Sequence, residues 1–517
     1  MRTEAPYTRE YTRRDWRVAI ALVLVILLLG LGQLTRGIPG WGDDHSAYIS
    51  EGIAIANGEL AEQAGRNYTL HPSPLPAEAD SSGLVYVWGY PLLLSLVYRL
   101  VGFDMQSYST ILYYKFPSLI CLSLLAGVLY LFLRRRASGK TSALLTLAFC
   151  LFGEFFVTLN DLYCDICFLF FSTLSLLLLD AFLGAVESAR KSSIPFGVAL
   201  GVVLWYTCET RLNGSALVLT VLIAQLFFLS GSRERRKRSR IALHILPYIV
   251  CFALRAVSER LWLMPATPNL SDMDNPSLSL ILKNLAEYRH LILYFLYNLT
   301  GFRLHIGGLR IGRLLWIPCV VGLISRGFRR ENLHLLLLFG GTCLVSSMLP
   351  YLQGLRYIYF ILPILMIYLG CGVERILTWL TSRLGPRPRK LLPGALGILF
   401  LACVLSRSAI AVYLNVAADG RPLDTDVYSP AAVETYRYIQ ENIPEDATIA
   451  SWKPRAVFLN TNRMGFRPGE NGHDIADAGY FLIYDEAQND LIPDDIRDHF
   501  QVEYTADNFT LYRIADD

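Results

Sequence analysis

Two neighbouring carboxylates stand in the run Gly42-Asp43-Asp44-His45. Adjacent carboxylates at a bilayer surface raise each other's pKa and disfavour simultaneous ionisation, which makes one of them a proton acceptor near neutral pH. The plain alternative is that Asp43 or Asp44 caps the helix expected to follow. A second acidic position lies at Asp161 and Asp165, where an apolar stretch begins. Asp165, one turn inside it, needs a partner or a water-filled cavity; its structural alternative is a snorkelling or interhelical hydrogen-bonded carboxylate. Two arginines complete the set, Arg211 in Arg211-Leu212-Asn213-Gly214 and Arg356 in Gln353-Gly354-Leu355-Arg356-Tyr357. A guanidinium grips a phosphate through two parallel hydrogen bonds, so each suits an anionic lipid head group, or else a structural pair with Asp165 or Asp43.

These residues gain meaning from the elements that place them. Of 517 residues, 53% are hydrophobic and 18% charged, which excludes an ordinary soluble globular protein. The apolar residues gather in stretches long enough to cross a hydrocarbon core of about 30 Å. Basic clusters at 134–136, 190–191, 233–240, 326–330 and 383–390 separate them, and read as cytoplasmic orientation signals rather than a nucleic-acid patch. An uncleaved signal anchor puts the N-terminus inside. Eleven spans satisfy every cluster, near 18–35, 110–133, 141–158, 162–184, 195–211, 214–230, 241–260, 311–325, 332–350, 357–380 and 391–415. A membrane module of residues 1–416 then precedes an extracytoplasmic domain of residues 417–517. Long outer loops cover 36–109 and 262–310, and a bend at Arg211 sets that residue on the outer rim.

In the first outer loop, the spacing predicts a helix from Asp44 to Asn57 with Gly58 as its stop, and a second, interfacial helix from Gly89-Tyr90-Pro91 to Gly102. In the second loop, 290–302 is apolar but short, which favours a re-entrant or interfacial segment. Residues 418–517 hold 20 acidic and 8 basic residues and no cysteine. This tail reads as a small α/β domain, with a helix from Ser429-Pro430 to about Asn442. Strand-like runs follow at 448–452, 457–460 and 480–484, and a terminal hairpin lies around Ala506-Asp507-Asn508. All ten cysteines precede residue 404 without a disulfide framework, and Cys164 and Cys167 read as helix-face thiols. His45, His71, His290, His305 and Glu209 make no ligand set of recognisable spacing.

The motifs follow one order. After the first span come Asp43-Asp44, Tyr48, Ala54 and Gly58, then Trp88-Gly89-Tyr90-Pro91-Leu92-Leu93-Leu94, Asp165 to Phe168, Arg211-Leu212-Asn213-Gly214, and Arg356-Tyr357 with Pro363. In that order they resemble the GT-C glycosyltransferases of the dolichyl-phosphate-mannose protein mannosyltransferase-like group, which includes the lipid A aminoarabinose transferases. The resemblance covers essentially the membrane part, and the tail is similar to the small extracytoplasmic domain of many bacterial members. It implies a polytopic α-helical membrane protein of GT-C type, about 11 transmembrane helices with a small C-terminal extracytoplasmic α/β domain, in a bacterial cytoplasmic (inner) membrane. It also implies hexosyl or pentosyl transfer, with inversion, from a polyprenyl-phosphate-linked sugar to an envelope glycan or lipid, less readily to a protein.

By the same resemblance Asp43 is the general base, Asp44 matches the second acidic position, and Asp165 orients the acceptor or holds the surroundings of Asp43 and the arginines in place. Arg211 and Arg356 take the donor phosphate, while Tyr48, Tyr90 and Tyr357 line the substrate entrance. The lipid-linked sugar phosphate is the co-substrate, and no divalent metal is expected to be required. Trp88-Gly89-Tyr90 stands where lipid A-modifying relatives often have a lysine, so aminoarabinose specificity is not implied. The rival class is a transporter or flippase of lipid-linked glycans, whose signature is charge at span centres and paired repeats. Here the five charged candidates collect on the outer side.

This topology predicts that a cysteine placed at Glu59 in intact cells reacts with a membrane-impermeant maleimide above the parent chain's background, and that one at Ser138 does not. The opposite pattern overturns it.

Overall fold

A computed structural model describes residues 9–35, 43–70, 86–104, 108–188, 190, 192–230, 238–261, 276–299, 305–306, 309–310, 314–349, 354–384, 386–417, 429–469, 472–484, 492–493 and 496–515. Gly42, His71 and the basic run 233–237 lie outside them. The apolar runs are helices because, away from water, a segment must satisfy its own backbone N–H and C=O groups. Among the described residues, six helices are long and apolar enough to cross a membrane: Thr110–Arg134, Asp165–Glu187, Leu212–Leu229, Ala242–Arg260, Leu355–Ser382 and Leu391–Ala417. Gly139–Cys150 and Gly153–Asn160, bent by 43°, make a seventh if taken together.

Among the described residues, length and composition therefore identify six or seven candidate spans. The first helix, Arg13–Leu31, opens with Arg13, Arg14, Asp15 and Arg17. Gly89–Val101, Trp316–Gly327 and Leu333–Ser347 are apolar but short for a bilayer core.

Two polar knots fix the bundle. At the end that carries the basic clusters, Arg136 holds Asp180 by two hydrogen bonds, Nη1 to Oδ2 at 2.6 Å and Nη2 to Oδ1 at 3.0 Å. The two side chains are only 1% and 4% exposed, and Arg136 Nε also reaches Asn332 Oδ1 at 3.3 Å. At the opposite end, buried Lys115 donates to Thr35 O at 2.8 Å, Thr35 Oγ1 at 2.9 Å and Asn160 Oδ1 at 3.3 Å. Asn160 Nδ2 donates in turn to Gln33 O at 3.0 Å. That second knot fixes the chain where it leaves the first helix, shortly before Asp43.

The helix Asp44–Asn57 forms as expected and stops at Gly58, whose φ of 79° is the left-handed conformation that glycine adopts without strain. The helix Gly89–Val101 packs against it. A Cβ on Gly89 would lie 2.3 Å from the Glu209 carbonyl oxygen, and Tyr206 OH donates to Gly89 O at 2.7 Å. The glycine thus lets the first loop rest on the backbone just ahead of Arg211. There the helix Ser193–Thr210 ends, and Leu212–Gly214 turns the chain into Ser215–Leu229, which is the expected bend.

Of the segment expected at 290–302, residues 300–302 lie outside the described residues and 290–299 are part of a longer helix, Leu278–Leu299. Its N-terminal half was hidden from hydropathy by Lys283, Glu287 and Arg289, which face outward. Its inner face buries Asn284, Tyr288 and Phe295, with the Phe295 ring 5.8 Å from Phe149 and 5.1 Å from Phe152.

In the tail, Pro430–Asn442 is a helix whose Ser429 side chain accepts from Ala432 N–H. Beside it lies a five-stranded sheet in the spatial order Gly465–Phe466, Ile449–Ser451, Tyr480–Ile483, Phe509–Ile514, Phe500–Ala506. The first three strands run parallel and the last two pair antiparallel. The run 457–460, expected as a strand, belongs instead to the helix Pro454–Thr461. A short apolar run does not by itself separate a strand from a buried helix, and Pro454 in the first turn favours the helix.

Removing one partner of a buried ion pair leaves an uncompensated charge, at a cost of about 3–5 kcal/mol. Arg136→Met is expected to lower the unfolding temperature of the detergent-solubilised protein sharply, and Arg136→Met with Asp180→Leu to recover most of the loss. Equal melting of the single and double variants would contradict this role.

Candidate functional site

Asp43 precedes the helix Asp44–Asn57 but makes no side-chain cap to it. Its carboxylate turns to the C-terminal domain. Oδ1 accepts the N–H of Ala456, in the first turn of Pro454–Thr461, at 3.2 Å. Oδ2 lies 3.9 Å from Arg455 Nε, with the two side chains 7% and 4% exposed. Among the described residues nothing donates a hydrogen bond to Oδ2. Asp43 therefore does not cap the helix that follows it; the N–H it bonds belongs to a helix of the tail. Burial pushes the Asp43 pKa up to about 6, against the opposing pull of Arg455, Lys453 and the Ala456 N–H; the Asp44 charge adds a smaller upward push. Lys453 is lowered, chiefly by burial, with Asp43 pulling it back up.

Asp44 belongs to a different set of contacts. It accepts a hydrogen bond from Tyr86 OH at 2.6 Å, and its Oδ2 lies 3.7 Å from Arg356 Nη2. Burial first, then the Asp44 charge, keeps the Tyr86 hydroxyl protonated far above its ordinary range, so it remains a donor. Arg211 is paired with Asp165, and its guanidinium lies over the Tyr357 ring at 4.3 Å. The Arg356 guanidinium lies 4.1 Å from the Tyr163 ring centre and 5.7 Å from that of Tyr357. Two acid–arginine pairs thus share one aromatic floor.

The structure brings Asp44, Asp165, Arg211, Arg356 and Tyr357 into one connected set, and Asp43 adjoins it only as the chain neighbour of Asp44. Arg211 takes Asp165, as its structural alternative had it, whereas Arg356 takes Asp44 rather than Asp43. Arg356 and Asp44 each keep 31% side-chain exposure, enough for guanidinium donors to meet a ligand.

Tyr48 and Tyr90 differ from the expectation of an entrance. Tyr48 OH donates to Cys164 Sγ at 3.2 Å, and its ring packs 4.3 Å from Tyr86 and 5.1 Å from Tyr90. Tyr90 OH shares a hydrogen bond with Ser118 Oγ at 3.2 Å. Both are buried and form a wall behind the acids; Tyr357 alone of the three is partly exposed. Cys164 and Cys167 are buried and unbridged.

Sequence reasoning missed Arg455, Lys453, Tyr86, Tyr163 and Lys115. A signal for the first two was present, since Lys453-Pro454-Arg455 clusters positive charge in a tail with only 8 basic residues.

No family model matches the chain, and the curated proteins give no match. Solved structures do. ArnT from Cupriavidus metallidurans bound to undecaprenyl phosphate is similar with a TM-score of 0.56 at 13% identity, over 97% of this chain and 98% of that one. The apo state of the same protein gives a TM-score of 0.57 at 11% identity, over 96% and 98%. The archaeal oligosaccharyltransferase AglB from Archaeoglobus fulgidus, in complex with an inhibitory peptide and a dolichol-phosphate, gives 0.58 at 11%, over 90% of this chain and 69% of that one. At such low identity the likeness speaks to architecture alone, and it extends through the tail as well as the helices. The chain has the GT-C fold of membrane glycosyltransferases.

Proposed function

We propose that the chain is a glycosyltransferase that moves a hexose or pentose from a polyprenyl-phosphate donor to a hydroxyl of an envelope glycan or lipid, with inversion. The site faces away from the cytoplasm of a bacterial inner membrane in this reading. The observation that carries it is the Asp43 carboxylate, with one oxygen pinned by a backbone N–H and the other without a hydrogen bond, in the same outer-loop turn as an arginine-paired acid. The acceptor oxygen attacks the anomeric carbon and its proton passes to Asp43 Oδ2. The bond from that carbon to the phosphate oxygen breaks, and its electron pair leaves with the polyprenyl phosphate. Arg211 and Arg356 meet the developing negative charge, held in place by Asp165, Asp44 and the Tyr357 ring. Two guanidiniums supply the positive charge, so no divalent metal is called for.

The fold likeness supports this donor class, because two of the similar structures hold undecaprenyl phosphate or a dolichol-phosphate. Position supports it too. Asp165, Leu212 and Leu355 begin apolar helices long enough to span, so a prenyl chain can stay in hydrocarbon while its phosphosugar reaches the charged ends.

Mass spectrometry of envelope glycans and lipids, with and without the gene, is expected to show one missing sugar. Asp43→Asn should fail to restore it while polyprenyl phosphate still binds; restoration removes Asp43 as base. Arg211→Ala and Arg356→Ala should each lower transfer by about 10²–10³ fold. Asp43 acts only when ionised, so the transfer rate should rise as the pH climbs through about 6. A rate flat from pH 5 to 7 speaks against this assignment, and unchanged glycans overturn the reading as a whole.

A further inference from the structure

We propose that Arg455 of the C-terminal domain is a positioning residue of the transfer site, holding Asp43 with one oxygen fixed by a backbone N–H and the other, among the described residues, without a hydrogen bond. The proposal rests on Asp43 being the base. It extends that reading by making the tail domain part of the site.

The contact joins residues 413 positions apart. Two independent interactions seat the helix Pro454–Thr461 on the first outer loop. The Ala456 N–H and Arg455 converge on Asp43, and Arg66, in the helix Leu60–Thr69, lies over the Phe458 ring at 5.5 Å. A carboxylate this enclosed is neutral at neutral pH unless positive charge stands close by. Arg455 Nε supplies that charge at 3.9 Å from Oδ2. The separation matters, because a guanidinium at hydrogen-bonding distance would occupy the lone pair that must take the proton. At 3.9 Å the attraction is kept and the lone pair stays available.

The other groups acting on Asp43 are Lys453 and the Ala456 N–H from the tail side, and Asp44 from its own helix. Arg356 and Tyr86 contact Asp44, and Arg467 acts on Lys453. Arg455 is the largest favourable influence on the ionised form of Asp43, and Lys453 the next.

The test is the pH dependence of transfer by the full chain in native membranes. Arg455→Gln should move the acid limb of the rate upward by about one to two pH units. The rate lost at pH 7 should return at alkaline pH. Lys453→Gln should shift the limb in the same direction by less, and carries the test if Arg455→Gln does not accumulate in the membrane. Arg66→Gln weakens the docking face without touching Asp43 and should leave the limb in place. A loss with Arg455→Gln that is equal at every pH, or no loss, overturns the proposal, as does an unmoved limb in Lys453→Gln where that variant stands in. Asp43→Asn separates the two failures. If it still transfers, the base assignment is wrong; if it is inactive while Arg455→Gln keeps the parent limb, only the role of Arg455 falls.

Discussion

A carboxylate withdrawn from water loses more than any single contact returns, and that constraint organises this protein. Each of the three acids at the site meets a guanidinium: Asp43 meets Arg455, Asp44 meets Arg356, and Asp165 meets Arg211. None of these pairs is local in sequence. Each draws two remote stretches of chain together, so compensating the charges and assembling the site are one event.

Exposure separates the Asp44–Arg356 pair from a merely structural one. The Arg136–Asp180 pair is enclosed on all sides and its hydrogen bonds are doubled, which suits a bundle clamp that never meets substrate. The Asp44–Arg356 geometry is looser. Asp44 and Arg356 stand at 3.7 Å and remain partly open, and the guanidiniums rest on tyrosine faces that fix their planes while leaving N–H groups at the edges. Partners held by stacking and attraction can exchange one anion for another, which a fully hydrogen-bonded pair cannot do cheaply.

What could be read from the sequence was local. The helix Asp44–Asn57 with its glycine stop, the helix that starts at Gly89, the bend after Arg211 and the helix behind Ser429 are all announced by residues a few positions apart. The span count was not, because a helix such as Arg13–Leu31 mixes charge into its first turns, and apolar runs as short as Leu333–Ser347 fall below the needed length. Periodicity places Tyr48 and Tyr90 on one face but says nothing of what covers it, so their burial went unseen. The run 457–460 reads as strand but lies in the helix Pro454–Thr461, whose first turn carries the N–H that meets Asp43. An acid in one unit answered by an arginine in another leaves no pattern in either.

That last contact also bears on how the protein is made. Asp43 enters the membrane among the first segments, and Ala456 emerges 413 residues later. At about 5–20 residues per second, the ribosome needs roughly 20–80 s to supply it. Until then the nascent chain holds an acid with no tail to dock on it, so a half-made copy lacks the contact that encloses Asp43.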